Sequence, residues 1–234
     1  MDGLILIDKP ENITSFGAVA KIRKLTGQKR VGHTGTLDPM ATGVLPILIG
    51  RATSLSPFLL ESDKIYFARI KFGLKTDSFD ITGNIIYKAD EKALMNISNQ
   101  EVLKALENFT GALKQTPPMF SALKKNGVPL YKLARQGKSL ELEKRDIFIH
   151  YIRLLEFDEI NKECLVEVKV TKGTYIRSLA NDIGEFLGCG AVLKELRRTC
   201  VTGFDITECV PLDDLSESNI SDFILKPDFA VKYM

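Results

Sequence analysis

Apolar residues fall along the chain in short runs separated by polar turns. Gly3-Leu4-Ile5-Leu6-Ile7 is an unbroken run of strand length, suited to burial on both faces, and it ends in Asp8-Lys9-Pro10. Thr14 or Ser15 can then cap a helix with Phe16, Val19, Ala20, Ile22 and Leu25 on its inner side and Gly27 as its stop. Ile47-Leu48-Ile49-Gly50 reads as a second buried strand. Tyr66 to Phe72 alternates and reads as half-buried, as does Asp146 to Phe157. Leu165 to Lys172 is a further strand, with Val166, Val168 and Val170 on one face. Two more helices carry signals of their own. Ser98 with Glu101 forms a capping-box pattern ahead of Val102, Leu103, Leu106 and Phe109. Ile176, Leu179, Ala180, Ile183, Phe186 and Leu187 follow helical spacing, and Gly188 ends it. Periodicity alone gives a mixed α/β class.

One stretch breaks this pattern. Val31 to Pro46, VGHTGTLDPMATGVLP, holds Gly32, Gly35, Gly43, Pro39, Pro46, one of the two histidines and a single carboxylate, Asp38. Glycine permits positive φ and proline fixes φ, so the stretch reads as a shaped loop and not as helix or strand. Pro39 biases Asp38 to an extended backbone. Asp38 is either a turn residue capping local N–H groups or a lone carboxylate offered to something that approaches between small side chains.

Composition narrows the classes. At 234 residues and 44% hydrophobic, the chain can form one large domain or a domain with a small appendage. Lys+Arg 32 against Asp+Glu 30 leaves +2, so net charge does not point to nucleic acid. Distribution says more: Lys21, Arg23, Lys24, Lys29 and Arg30 cluster just before the loop, whereas Asp205 to Asp228 is acidic. The basic run is either a solvated helix face or a phosphate-contacting patch. Cys164, Cys189, Cys200 and Cys209 form no CxxC pair, and His33 and His150 lack metal-ligand spacing. The expectation is no zinc, reduced thiols and a cytoplasmic protein. No signal peptide is evident and no apolar run reaches about 18 residues, so no membrane association is expected. No linker, repeat or low-complexity tract interrupts the chain.

GHTGTLDPMATGVLPILIGRAT resembles the signature of the TruB family of tRNA pseudouridine synthases, and the likeness runs from about Leu4 to Leu215. DKPENITS resembles the family's DKPxGxTS, with Asn12 where the family has Gly; Asn is the next best residue at a left-handed position. Tyr66 falls where the family places a strand-leading Tyr, and GLKTDSFDITG carries its T-D-x-x-D-x-x-G turn. QTPPMFSALK, followed by Gly127, Tyr131, Ala134-Arg135 and Gly137, resembles QxPPxxSAxKxxGxxxYxxAR, with Phe120 where Tyr is common. KGTYIRSLANDIG resembles SKGTYIRxLxxDxG, with Thr171 in place of Ser, and Leu196 to Thr199 matches an LRRT segment.

The resemblance implies an α+β pseudouridine-synthase fold: a long, mixed, mostly antiparallel sheet with surrounding helices and a central active-site cleft. It implies one catalytic domain over 1–234, monomeric, without the small C-terminal RNA-binding domain usual in the family. The implied reaction isomerises uridine-55 in the T-arm of tRNA by base flipping. That rearrangement is redox-neutral and loses no group, so no cofactor and no metal are expected. The catalytic residues carried over are Asp38, which attacks carbon or removes a ribose proton, Arg177, which pairs with it, and Tyr66, which stacks on the uracil. Tyr175 and Leu196 line the uridine pocket, Lys9 and Pro10 buttress the Asp38 loop, and His33 joins the RNA stack beside the flipped position. Lys124, Lys125, Lys132, Arg135 and Lys138, interleaved with Phe120 and Tyr131, suit an RNA backbone with unstacked bases; a solvated helix is the competing reading. Two other classes stay open. One is a tRNA-binding folding helper without catalysis. The other is a glycoside or nucleoside hydrolase, which needs a second acid near Asp38, with Asp8 and Asp80 as candidates.

Overall fold

The computed structural model describes residues 1–138 and 140–231; Ser139 and residues 232–234, the end of the expected 1–234 domain, lie outside the described residues. The chain forms two compact units, one of Met1–Phe67 with the chain from Leu196 onward, the other of Ala68–Glu195.

In the first unit the Gly3–Lys9 strand pairs antiparallel with Thr42–Ile49, from Gly3 opposite Ile49 to Lys9 opposite Gly43. Val210–Pro211 adds in parallel to Ile7-Asp8, and Arg197-Arg198 runs parallel to Thr42-Gly43. Leu4, Leu6, Val44 and Leu48 face a core with Leu59, Val201 and Phe204, while Ile5, Ile7, Leu45, Ile47 and Ile49 are buried on the opposite face. Burial on both faces is why these runs are apolar throughout.

The Ser15–Thr26 helix starts at Thr14, whose hydroxyl accepts from the Gly17 N–H, and stops at Gly27 with φ 65. Its buried face is Ser15, Ala18, Val19 and Ile22. Phe16 and Ala20 point outward, against the spacing reading. Ser15 sets the rotation because its hydroxyl is bonded inward, and Phe16 instead lies under the Arg23 guanidinium at 5.6 Å. Asn12 takes the left-handed turn position, φ 66, and its N–H donates to Pro39.

Val31–Pro46 is not a loop throughout. Val31–His33 is a strand paired with Ile47–Ile49, and Thr42–Ile49 is a strand that includes Pro46. Pro46 lacks a donor, but its carbonyl accepts from the Thr34 N–H at 3.1 Å, so the ladder tolerates it. Only residues 34–41 are irregular.

In the second unit the order is the end of Lys64–Phe72, then Glu163–Val170, Arg145–Asp158 and Gly111–Gln115, with Arg145–Asp158 antiparallel to both of its neighbours. The Asn99–Asn108 helix, capped by Ser98, buries Val102, Ala105 and Leu106; Leu103 faces out, since Ala105 takes the inner position. The Ile176–Phe186 helix buries Ile176, Leu179, Ala180 and Ile183. Its Phe186 meets Phe109 edge-on at 6.0 Å. Gln115 to Lys138 is not a solvated helix. Only Leu130–Ala134 is helical, and Lys124–Lys125 with Val128–Pro129 forms a hairpin through Asn126 and Gly127, both at positive φ. The fold is α+β, with mixed and mostly antiparallel strand pairing.

Gly43 marks a close backbone approach in the first unit. It has φ 104, and a Cβ there would stand 2.1 Å from the Arg198 carbonyl oxygen. Gly43→Ala should lower stability by about 2–4 kcal/mol through overpacking and backbone strain. Gly27→Ala, with φ 65 and nothing within 4 Å, should lose only about 1 kcal/mol. Urea unfolding of both variants checks this; equal losses would show that the strands have room to separate.

Candidate active site

The irregular segment 34–41 is held by buried side chains of its own unit. Ser15 Oγ donates to the Leu37 carbonyl at 2.9 Å and accepts from the Leu37 N–H at 2.8 Å. Lys9 is fully buried, and its Nζ donates to the carbonyls of Pro10 (2.8 Å), Ile13 (2.8 Å) and Pro39 (3.2 Å). Arg198 is 1% exposed; its Nε donates to Val44 O at 2.8 Å and its Nη2 to Gly35 O at 3.1 Å. Asp38 is half-buried within this frame, and its carbonyl accepts from the Ala41 N–H at 3.0 Å.

Charge follows the same frame. Burial pulls the Lys9 ammonium down to about 8, and the Asp38 carboxylate is the chief opposing influence. Burial, and then the Arg198 charge, lower His33 below the ordinary histidine range, so its imidazole is neutral at pH 7. Its Nδ1 is buried and has no hydrogen-bond partner among the described residues. Tyr66 and Leu196 are buried in the same unit, and Pro10 is half-buried. Asp8 is paired with Arg197 through both carboxylate oxygens, at 3.2 and 2.6 Å.

The second unit carries Tyr175 and Arg177. Arg177 is 4% exposed; it donates to Ser78 O at 3.0 Å and Phe120 O at 2.8 Å, with the Asp80 carboxylate at 3.7 Å. The turn that presents Asp80 is self-bonded. Ser78 Oγ, the Thr82 N–H and Thr82 Oγ1 all donate to Asp80 Oδ1, at 2.8, 3.0 and 2.6 Å. Phe79 adopts φ 64 within it. Tyr175 leads into the Ile176–Phe186 helix, and the Gln115 side-chain amide brackets its backbone, accepting from Tyr175 N and donating to Tyr175 O.

The structure thus gathers Lys9, Pro10, His33 and Asp38 about one loop, and Tyr175 and Arg177 about one helix start. Asp8 and Asp80, the two acids that a hydrolase would need, are both committed to guanidinium groups. Among the described residues, no three His, Cys, Asp or Glu side chains group as metal ligands, and no helix is long and apolar enough to cross a membrane. Sequence reasoning missed Ser15, Gln115 and Arg198 as site-building residues. For Arg198 a signal existed: Leu196 and Arg198 are two apart on a strand, so an inward Leu196 implies an inward Arg198.

Comparison with known proteins extends these observations. Residues 23–176 match the model of the TruB family pseudouridylate synthase N-terminal domain, and 177–223 match that of the tRNA pseudouridylate synthase B C-terminal domain. A tRNA pseudouridine synthase B from Geobacter sulfurreducens is 44% identical across 100% of this chain and 77% of its own length. One from Clostridium acetobutylicum is 45% identical across 97% of this chain and 77% of its own. Among solved structures, a chain of a Cbf5-Nop10-Gar1 complex matches 99% of this chain with TM-score 0.75 at 30% identity. This chain spans 62% of that one.

The buried polar frame of the loop can be tested at Ser15 and at Lys9. Ser15→Ala leaves a buried N–H and C=O of Leu37 unpaired and should lower stability by about 1–3 kcal/mol, read by urea unfolding. Lys9 predicts a pH dependence. Its folded value of about 8 lies below the unfolded 10.5, so below pH 8 the burial penalty is present in full. Between those values the unfolded chain holds a proton that the folded chain has lost, so stability contributed by this group rises with pH, by about 3 kcal/mol in total. The difference in unfolding free energy between parent and Lys9→Met should therefore grow from about pH 8 to about pH 10. A flat difference would mean that Lys9 titrates normally.

Proposed function

The chain belongs to the TruB family of pseudouridylate synthases, and we propose that it isomerises uridine-55 in the T-arm of tRNA to pseudouridine. The observation that carries this reading is the Asp38 loop. A half-buried carboxylate stands in a segment whose backbone is held by two buried cations, and the chain matches a tRNA pseudouridine synthase B along its whole length.

The N1–C1′ bond of uridine breaks, the uracil turns, and C5 bonds to C1′; the C5 proton is lost and N1 gains one, so atoms and charge balance. Nothing is oxidised, and no cofactor or metal is needed for bond exchange of this kind. The uridine must leave its stack, at a cost of a few kcal/mol. Asp38 acts ionised, as the attacking group or as the base that takes a ribose proton. Nearby positive charge favours that form, and Lys9, which interacts with the Asp38 carboxylate, supplies it. Arg177 pairs with Asp38, Tyr66 stacks on the uracil, and Tyr175 and Leu196 line its pocket. His33, neutral, joins the RNA stack beside the position that the flipped base leaves. Lys9 and Pro10 hold the loop.

RNA contacts outside the pocket come from the Lys21–Arg30 run, in which Lys21 itself is paired with Asp213, and from the Gln115–Lys138 segment. In the latter, Lys124, Lys125, Lys132 and Arg135 are offered at the surface and the Arg135 guanidinium lies 5.6 Å over Tyr131, which suits backbone and base together. We read the chain as a single catalytic domain over 1–234, acting as a cytoplasmic monomer. A folding helper would bind tRNA and leave uridine unchanged, a hydrolase would free uracil, and this enzyme leaves the RNA mass unchanged while converting one uridine. A product assay on a T-arm stem-loop separates the three.

Asp38→Asn should bind that stem-loop nearly as well as the parent and form no pseudouridine after long single-turnover incubation. Turnover within tenfold of the parent would sink the catalytic role. Removing the charge leaves Arg177 without that partner, a loss of about 3–5 kcal/mol if the pair is buried. Asp38→Asn with Arg177→Gln should stay inactive and lose further stability, because Arg177 also holds Ser78, Phe120 and Asp80. His33→Phe should keep much of the activity, whereas His33→Ala should lose about 1–3 kcal/mol of RNA affinity. Unchanged affinity in the Ala variant would remove the stacking role.

A further inference from the structure

The first unit has a concave site apart from the Asp38 loop. A cleft of about 530 Å³ is lined by Arg23, Lys29 and Arg30 together with Gly32, Thr53 and Ser56. None of the three cations has a carboxylate partner among the described residues. Arg23 Nη2 donates to the Val31 carbonyl at 2.9 Å, while its Nε is buried and without a partner. Lys29 and Arg30 are exposed. Lys21, on the same helix as Arg23, differs: it is paired with Asp213 at 2.8 Å and does not line the cleft. Three like charges around one hollow repel one another, and an anion seated there relieves the repulsion.

The cleft's position selects the anion. Val31 and Gly32 form its wall, and the Val31–His33 strand runs from it to the loop that carries Asp38. A ligand that serves both places must carry negative charge at intervals along its length, as a nucleic-acid strand does. The hollow is also larger than one tetrahedral anion requires. We propose that the cleft is a subsite for the RNA backbone, seating a phosphodiester within a few nucleotides of the isomerised uridine. Arg23, Lys29 and Arg30 are its cations and Ser56 is a hydroxyl donor. That the polyanion is RNA rests on the function proposed above; that the cleft takes phosphate does not.

The test uses the full chain and a T-arm stem-loop, with affinity read by fluorescence anisotropy over a salt series. Arg23→Gln, Lys29→Gln and Arg30→Gln together should weaken binding at least tenfold. They should also flatten the salt dependence by about 0.7–0.9 units of slope for each phosphate that is no longer neutralised, so by about two units or more. The control carries Lys88→Gln, Lys92→Gln and Lys226→Gln, the same change in net charge, and should keep the parent's slope. Because Arg23 also holds Val31 and Phe16, Lys29→Gln with Arg30→Gln is made as a second variant and should lower the slope by about one unit or more. An unchanged slope in that double variant, or an equal loss in the control, overturns the proposal. So does a cleft that binds inorganic pyrophosphate, lost in the triple variant, while RNA affinity stays at the parent's value. If binding falls as expected but the parent makes no pseudouridine, the function fails and the phosphate subsite stands.

Discussion

The segment that carries Asp38 depends on two buried cations, Lys9 and Arg198. Lys9 and Arg198 donate to five backbone carbonyls between them, those of Pro10, Ile13, Pro39, Val44 and Gly35. A segment of glycines and prolines cannot satisfy its own carbonyls through a helix or a ladder, and burying them unpaired is costly. Long cationic side chains solve this because each carries several donors at one tip. The solution has an electrostatic consequence. Charges that serve structure also make the loop positive, and Asp38 is the only carboxylate within it. The depressed Lys9 shows how much burial strains this arrangement, and the opposing influence of Asp38 shows that carboxylate and cation stabilise each other.

The two adjacent arginines of the LRRT segment show how strand geometry assigns roles. Successive side chains of a strand point to opposite faces. Arg197 reaches Asp8 and forms a two-pronged ion pair, partly exposed. Arg198, one residue on, is turned inward and meets only carbonyls. The pair would be misread as a basic patch. One member is neutralised at the surface; the other is a structural cation whose main chain also sets the close approach at Gly43.

Much of the framework is legible in the sequence because burial leaves a local trace. The Gly3–Lys9 and Thr42–Ile49 strands are apolar since both faces are covered, and the Thr14 and Gly27 ends of the first helix follow from capping chemistry. The misreadings have local causes too. Hydrophobicity places Phe16 and Leu103 inward, yet Ser15 and Ala105 take the inner positions, the first because its hydroxyl serves Leu37. Pro46 and the glycines suggest a loop, yet a strand accommodates them, with Pro46 offering its carbonyl to the Thr34 N–H. Asp38 stands out by composition, but its chemical role comes from the family likeness. The Arg177–Asp80 pair leaves no trace, since residues so far apart along the chain meet only in three dimensions.

Charge placement in the first unit separates folding from binding. Where a cation serves the fold, it has a fixed partner: Lys21 has Asp213, Arg197 has Asp8, Arg51 has Asp2, and Lys9 and Arg198 have carbonyls. Around one hollow, Lys29 and Arg30 break that rule, and Arg23 does so in part: its Nη2 holds the Val31 carbonyl while its Nε has no partner. Exposed pairs contribute little to stability, so three more would add little. Leaving those cations unpaired therefore loses little in folding, while each stays available to a phosphate. A net charge of +2 hides this, because the sum counts the neutralised cations with the free ones. For a polyanion the free ones matter, since counterions are released only from phosphates that meet an unpaired cation.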